Sequence, residues 1–191
     1  MLIRDATAER DAAACAAIYA PYVRDTVISL EERPPTADEL ADRIHGTTRT
    51  HPWLVAEDHG EVIGYAYAGT HRERASYRWA ADVAVYVSGQ HHRRGAGRTL
   101  YGTLFSLLAA QGLRIACAGI TLPNEASVGL HEALGFRPVG VYRNIGWKHG
   151  AWRDVGWWQL ELAPQDGQDG DRPPPEPGPP SRLAPLASIQ A

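Results

Sequence analysis

The sequence predicts a single mixed α/β domain. Three observations point there: strand-like and helix-like segments alternate over the first 163 residues, a long apolar run at 80–87 leads through glycines into an amphipathic segment, and the composition is globular, with 44% hydrophobic and 21% charged residues in a chain of 191. A chain of that length buries roughly two-thirds of its unfolded surface in one core.

In chain order, residues 2–4 read as a short strand. Residues 12–23 are alanine-rich, with Ile18, Tyr19 and Tyr22 spaced for one face of a helix. Thr36-Ala37-Asp38-Glu39 has the capping-box pattern, in which Thr and Glu side chains satisfy each other's orphan backbone donors. It opens a second helix with Leu40 and Ile44 on one face. Residues 53–57 and 62–68 are apolar runs around Asp58-His59-Gly60-Glu61, which reads as a hairpin. Residues 80–87 form a buried strand, and 95–111 a helix with Leu100, Leu104, Leu107 and Leu108 at helical spacing. Residues 113–121 are strand-like, and 124–134 are helical with Asn124 as cap and Gly135 as stop. Strands at 136–142 and 152–162 close the domain, with 146–150 expected as the turn between them. The domain therefore spans 1–163. From 164 to 191 the chain holds eight of its 14 prolines and no aromatic residue. That stretch reads as a solvated, disordered tail favouring polyproline II.

Composition also excludes whole classes of function. No apolar run approaches the ~20 residues of a membrane span, and the first residues lack the charged and apolar regions of a secretory signal. A cytoplasmic protein with no membrane partner is expected. With 19 basic against 22 acidic residues, the net charge of −3 argues against nucleic acid as a partner. Cys15 and Cys117 are too few for a disulfide scaffold or a four-ligand zinc site, and no metal is expected.

The most informative segment is 85–98, Val85-Tyr86-Val87-Ser88-Gly89-Gln90-His91-His92-Arg93-Arg94-Gly95-Ala96-Gly97-Arg98. A strand enters a glycine turn and a helix begins, so amide N–H groups converge at the positive end of a helix dipole. Arg93, Arg94 and Arg98 add full charges. The arrangement suits a phosphate-bearing ligand. It lacks the Gly-Lys-Ser/Thr of a nucleoside-triphosphate loop, since Arg98-Thr99 follows Gly97. It also lacks the third glycine of a dinucleotide fingerprint, where Leu100 stands. A helix start with solvated arginines is the plainer alternative.

That segment, followed by a strand, Asn124 and Leu130-His131-Glu132-Ala133-Leu134-Gly135-Phe136, resembles the GNAT superfamily of N-acetyltransferases. Pro21-Tyr22-Val23, Pro52 to Glu57, Gly64 to Gly69, Val85 to Ser88, and Lys148-His149-Gly150 with Trp152, Asp154 and Trp158 are similar to phosphinothricin acetyltransferases. The likeness runs from about residue 3 to 162. It implies a GNAT fold, a mostly antiparallel sheet splayed at the cofactor site and flanked by helices, with acetyl-CoA as cosubstrate. It also implies direct transfer in a ternary complex to the amine of phosphinothricin, methionine sulfoximine or a similar small amino-acid analogue. The resemblance places the pantetheine arm along Val85, Tyr86 and Val87, the diphosphate on Arg93, Arg94, Gly95, Ala96, Gly97 and Arg98, and the thiol end near Asn124. His92 stands where the family has Gln or Arg, which leaves the amide cradle intact.

An ammonium group is no nucleophile, so a base or a water chain must remove its proton. Asp82 is the sole acidic residue in the apolar run 79–87 and falls where the family has Glu, which makes it the candidate base, acting through a water. The departing thiolate needs a proton, and His131 occupies the position of a family tyrosine that supplies it. Both have plain alternatives, a carboxylate on a solvated face and a half-buried hydrogen-bonded histidine. Tyr86 and Tyr101 read as packing residues. For the acceptor, Arg72 and Arg74 offer guanidinium grips for a carboxylate or phosphinate, with Tyr77 beside them. Lys148 and His149 read as a surface turn, or by family analogy as a substrate or dimer contact. Trp147, Trp152, Trp157 and Trp158 read as core and interface, and a homodimer is expected by analogy. The rival readings are an N-acetyltransferase for another amine, a non-catalytic acyl-CoA-binding regulator, and a proline-tail adaptor.

Overall fold

The structure, a computed structural model, describes residues 1–162 and 174–183. In chain order it runs β1 (Leu2–Asp5), α1 (Ala8–Arg24), α2 (Ala37–Thr47), β2 (Trp53–Asp58), β3 (Glu61–Thr70), β4 (Ala80–Val87), α3 (Ala96–Gln111), β5 (Ile115–Leu122), α4 (Glu125–Ala133), β6 (Arg137–Lys148) and β7 (Ala151–Glu161). The seven strands form one sheet in the order β1-β2-β3-β4-β5-β7-β6. Every pairing is antiparallel except β4 with β5. One core, built on Leu54, Ala81, Val83, Leu100, Leu104 and Leu108, lies between the sheet and α3. A second, around Tyr19, Val23, Leu40, Trp53 and Tyr65, lies under α1 and α2. Among the described residues no helix is long and apolar enough to cross a membrane.

Local chemistry explains where the elements start. The capping box forms as the sequence requires: Thr36 Oγ1 accepts from Glu39 N at 3.2 Å, and Thr36 N donates to Glu39 Oε2 at 2.8 Å. Helix α1 begins at Ala8, four residues before the apolar spacing announces it. The extension rests on Asp11, which is fully buried. It accepts from Thr7 N at 2.8 Å and takes a two-pronged grip from Arg4 at 2.7 and 2.8 Å. A buried carboxylate persists only when paired in this way, and apolar periodicity does not register it.

The turn expected at 146–150 is shorter than that. Strand β6 continues to Lys148, and the reversal is made by His149 and Gly150, both with positive φ (50° and 73°), as a two-residue hairpin turn demands. Lys148 is therefore no surface residue. It is 6% exposed, and its Nζ donates to the carbonyls of Val23, Ser29 and Glu31 at 2.6, 2.6 and 2.8 Å. Burial lowers its pKa. One ammonium thus ties the end of α1 and the 25–36 connection to the β6–β7 hairpin. Gly146 lets that connection come close, since a Cβ there would stand 2.7 Å from Leu30 Cδ1. Of the proline-rich tail, residues 174–183 contain no helix or strand yet lie against the body. Trp79 Nε1 donates to Pro175 O at 2.8 Å, Gly178 N to Gln111 O at 2.7 Å, and Leu183 N to Asp5 Oδ2 at 3.0 Å.

Lys148→Met keeps the length of the side chain and strands three buried carbonyls. It is expected to lower the unfolding free energy by about 2–4 kcal/mol, read by urea denaturation.

Candidate active site

The ladder between β4 and β5 is short. It joins Ala80 to Ile115, Ala81 to Ala116 and Asp82 to Cys117, and stops. Beyond it β4 runs on to Val87 against β3 alone, and β5 runs on to Leu122 against β7 alone. From Val83 onward the two strands diverge, and one edge of β4 presents peptide groups with no strand opposite.

The end of β4 leads into the glycine loop. Arg93 and Gly95 both take positive φ, 60° and 86°, and α3 starts at Ala96 with Gly95 as its cap. The helix's internal bonding begins with Thr99 N to Gly95 O at 3.0 Å, which leaves the amides of Ala96, Gly97 and Arg98 pointing outward at the positive end of a helix. A cleft of about 690 Å³ follows this path, from Val85, Tyr86 and Val87 past Arg93, Gly95, Ala96, Gly97 and Arg98 to Asn124. Of the residues expected to hold a cofactor, Arg94 alone does not line it. A Cβ at Gly97 would meet Leu130 Cδ2 at 3.5 Å, Val87 Cγ2 at 3.8 Å and Val85 Cγ2 at 3.9 Å, all ordinary contacts. The fold itself does not demand glycine there, so what its small size keeps open is the cleft. Asn124 caps α4, accepting from Ser127 N at 3.1 Å, and stands at the other wall.

His92 lines the cleft with its Nε2 already engaged. Its Nε2 lies 2.9 Å from Val87 O and 2.8 Å from the hydroxyl of Tyr22, which itself donates to Val87 O at 2.6 Å. The side chain that breaks the family pattern thus pins the end of β4 to α1, and the carbonyl of Val87 is already occupied. Tyr22, read from sequence as a helix-face residue within the Pro21-Tyr22-Val23 motif, and Ile28 from the 25–36 connection also line the cleft.

Asp82 stands at the vertex of the wedge as the last residue paired to β5. Its side chain is 38% exposed, and Oδ1 lies 2.6 Å from His71 Nδ1. Burial raises the pKa of Asp82, and the His71 hydrogen bond draws it partly back. Around this pair stand Tyr77 and Trp157, each edge-on to the His71 ring, and Arg72, stacked 5.6 Å over Trp157. Arg72 and Tyr77 are therefore gathered at the vertex, whereas Arg74 does not reach the His71–Asp82 pair and lines, with Arg72, a groove shared with Glu176 and Gly178 of the tail. Donor atoms of His71, Asp82 and Cys117 lie within 4.8 Å of one another. Two ligands of one tetrahedral ion bonded at about 2.0–2.1 Å stand roughly 3.3 Å apart, so the 2.6 Å contact is a hydrogen bond. Burial also pushes the Cys117 thiol up to about 11. The cluster has the geometry of an acid–imidazole pair beside a protonated thiol.

His131 lies at the inner end of the wedge, 4% exposed, beside a narrow space of about 70 Å³ that Tyr86, Tyr101 and Asn124 share. Its Nδ1 donates to Ser127 O at 2.7 Å, and Nε2 accepts from the Tyr101 hydroxyl at 3.1 Å. Burial lowers its pKa. The ring is neutral with both nitrogens engaged, so any proton it serves must pass by way of Tyr101. Tyr101, read as packing, is also its hydrogen-bond partner.

Comparison with known proteins agrees with this geometry. The family described as acetyltransferase (GNAT) domain matches residues 3–157. A phosphinothricin N-acetyltransferase of Streptomyces viridochromogenes is 44% identical over 160 residues, 84% of this chain and 87% of that protein. An L-methionine sulfoximine/L-methionine sulfone acetyltransferase of Pseudomonas aeruginosa is 38% identical over 153 residues, 78% of this chain and 87% of that protein. Among solved structures, a GNAT superfamily phosphinothricin acetyltransferase from Sinorhizobium meliloti in complex with AcCoA superposes with a TM-score of 0.80. It is 35% identical, covering 89% of this chain and 96% of that one.

Gly95→Ala forces a Cβ into a backbone of φ 86°. A loss of about 1–2 kcal/mol is expected, seen as a lower urea midpoint with an unchanged slope.

Proposed function

The chain belongs to the GNAT family of acetyltransferases, an acetyl-CoA-dependent N-acetyltransferase of the phosphinothricin and methionine sulfoximine group, and we propose that it acetylates the amino group of such a small amino-acid analogue directly in a ternary complex. The observation that carries this reading is the wedge that ends at Asp82. The outward amides of 96–98 and the arginines Arg93 and Arg98 suit a diphosphate. The bare edge of β4 suits an arm of amides running inward from it, with Asn124 at the thiol end. The thioester then reaches the vertex, where a carboxylate waits.

Arg72 and Tyr77 hold the acceptor's carboxylate or phosphinate beside Asp82, a placement their position around the vertex supports. A guanidinium fits that group in two parallel bonds, and the amine is then turned to the reacting carbon. Arg74, which lines the tail groove, serves at longer range. Asp82 drives removal of the ammonium proton. A strand amide near Tyr86 polarises the thioester carbonyl, and the Tyr101–His131 pair at the inner end meets the departing thiolate. Phosphinothricin and methionine sulfoximine both carry the α-amino acid group this arrangement fits.

The test is thiol release from acetyl-CoA by the full chain with phosphinothricin, methionine sulfoximine and common amino acids, beside calorimetry of the coenzyme. Asp82→Asn is expected to lower kcat about 10²–10⁴-fold with coenzyme affinity kept. No heat from the coenzyme, or no thiol release with any amine, overturns the reading.

The chain also acts as a homodimer in this reading. β6 is the outermost strand of the sheet. It and β7 expose Val139, Ile145, Trp147 and Trp152 at 57–63%, an apolar face on an open edge that a second copy covers. Trp147→Glu should convert a dimer to a monomer in sedimentation velocity. A wild-type monomer at micromolar concentration refutes the proposal.

A further inference from the structure

The carboxylate at the vertex does not stand alone. Gly69 pairs opposite Asp82 across β3 and β4, and a Cβ on Gly69 would find no atom within 4 Å. His71, two residues further on, belongs to the same face and leans into the open space, its Nδ1 2.6 Å from Asp82 Oδ1. An ionised carboxylate only accepts, so the proton sits on Nδ1 and the lone pair is left on Nε2. Among the described residues nothing hydrogen-bonds Nε2. The ring is fixed from several directions. Tyr77 and Trp157 hold it edge-on with centroids 5.9 Å away, and Arg72 Nη1 donates to His71 O at 2.9 Å. An imidazole with a fixed tautomer and an unused acceptor, its side chain still 16% exposed, is placed to take a proton.

We infer that His71 is the general base of the acetyl transfer: Nε2 takes the proton of the acceptor's ammonium, while Asp82 orients the ring and stabilises the imidazolium. The inference rests on the acetyltransferase reading above and names the group that does the work at its vertex. One ammonium proton passes to Nε2 and then to solvent. The freed lone pair bonds the thioester carbon, and the C–S bond breaks with its electron pair leaving on sulfur. The nitrogen sheds one further proton, which the sulfur acquires, so the products are the N-acetyl acceptor and free CoA thiol. Asp82 acts here through His71, as a carboxylate does when it holds an imidazole in one tautomer.

The experiment compares wild type with His71→Asn, whose amide keeps a donor for Asp82 but offers no base. Two acceptors are used: the amino acid that wild type turns over best, and its aminooxy analogue, whose nitrogen is neutral at the assay pH. With the amino acid, kcat is expected to fall about 10²–10⁴-fold at unchanged acetyl-CoA affinity, and added imidazole restores part of it. With the aminooxy acid the two proteins run at similar rates. His71→Asn/Asp82→Asn is no slower than the slower single variant, as groups acting in one unit require. Unchanged kcat in His71→Asn, or an equal loss with both acceptors, overturns the inference and marks His71 as a merely structural partner. Wild-type turnover in the same assay shows the acetyltransferase reading to stand, so either result bears on His71 alone.

Discussion

The constraint on which the rest depends is the early end of the β4–β5 ladder at Asp82 and Cys117. A sheet normally saturates both edges of an inner strand. Here β4 keeps only its β3 side and β5 only its β7 side over the next residues, and the wedge is kept open by what fills it. Trp157 covers Gly119, where a Cβ would come within 3.3 Å of the indole. Tyr86 packs edge-on against Tyr19 and Tyr22, with centroids 4.7 and 5.2 Å apart. Thr121 Oγ1 bonds to Ile28 O at 3.2 Å, which draws the 25–36 connection over the β5 side. The divergence is a packed arrangement, and the peptide groups it exposes are available because the neighbouring side chains hold the strands apart.

The acceptor side is fastened by charge buried at a distance from the chemistry. Lys148 binds three carbonyls of the α1 end and the following connection. A charge with so many partners offsets its desolvation, while an unpaired one would not stay buried. That fastening links the hairpin β6–β7, which also forms the exposed apolar edge, to the segment carrying Ile28 into the cleft. The exposed apolar edge and the wall of the cleft therefore share one ammonium. The net charge of −3 says little about this. What matters locally is that exposed arginines gather at the amides of α3 while carboxylates lie elsewhere.

Much of this was legible in the sequence, because the features that specify the fold are local. The capping box, the Asn124 cap and the glycine loop are short-range patterns, and each appears where the spacing put it. The loop residues Arg93, Gly95, Ala96, Gly97 and Arg98 line the cleft because a strand that leads into a helix start brings them together, while Val85 to Val87 and Asn124 were placed by the resemblance and Arg94 does not line it. What stayed hidden depends on register. His71 and Asp82 meet because β3 and β4 pair Gly69 with Asp82, and the connection between them masks that pairing. The signal was there in parity alone, with a histidine two residues past a glycine on one face. Lys148 was misread as surface because a charged residue near a glycine turn looks solvated until its carbonyl partners are placed. The early start of α1 escaped because Asp11 is polar and buried at once. His131 was located by motif, but its neutral, doubly bonded state is set by Ser127 and Tyr101, which only packing brings to it.

The sheet also separates two jobs by length. From Asp82 to Val87 the strand advances about 16 Å at roughly 3.3 Å per residue, with the loop amides beyond it. A ligand that anchors its charged end on those amides must therefore extend along the bare edge before its reactive end meets the vertex. Side chains of alternate residues, Asp82, Ala84 and Tyr86, share the face toward α1, while Val83, Val85 and Val87 face α3. The small Ala84 between Asp82 and Tyr86 leaves room on the acceptor face where a larger side chain would close it. In the proposed reading, anchoring and chemistry fall at opposite ends of one strand, so affinity for the coenzyme and proton removal are assigned to different residues.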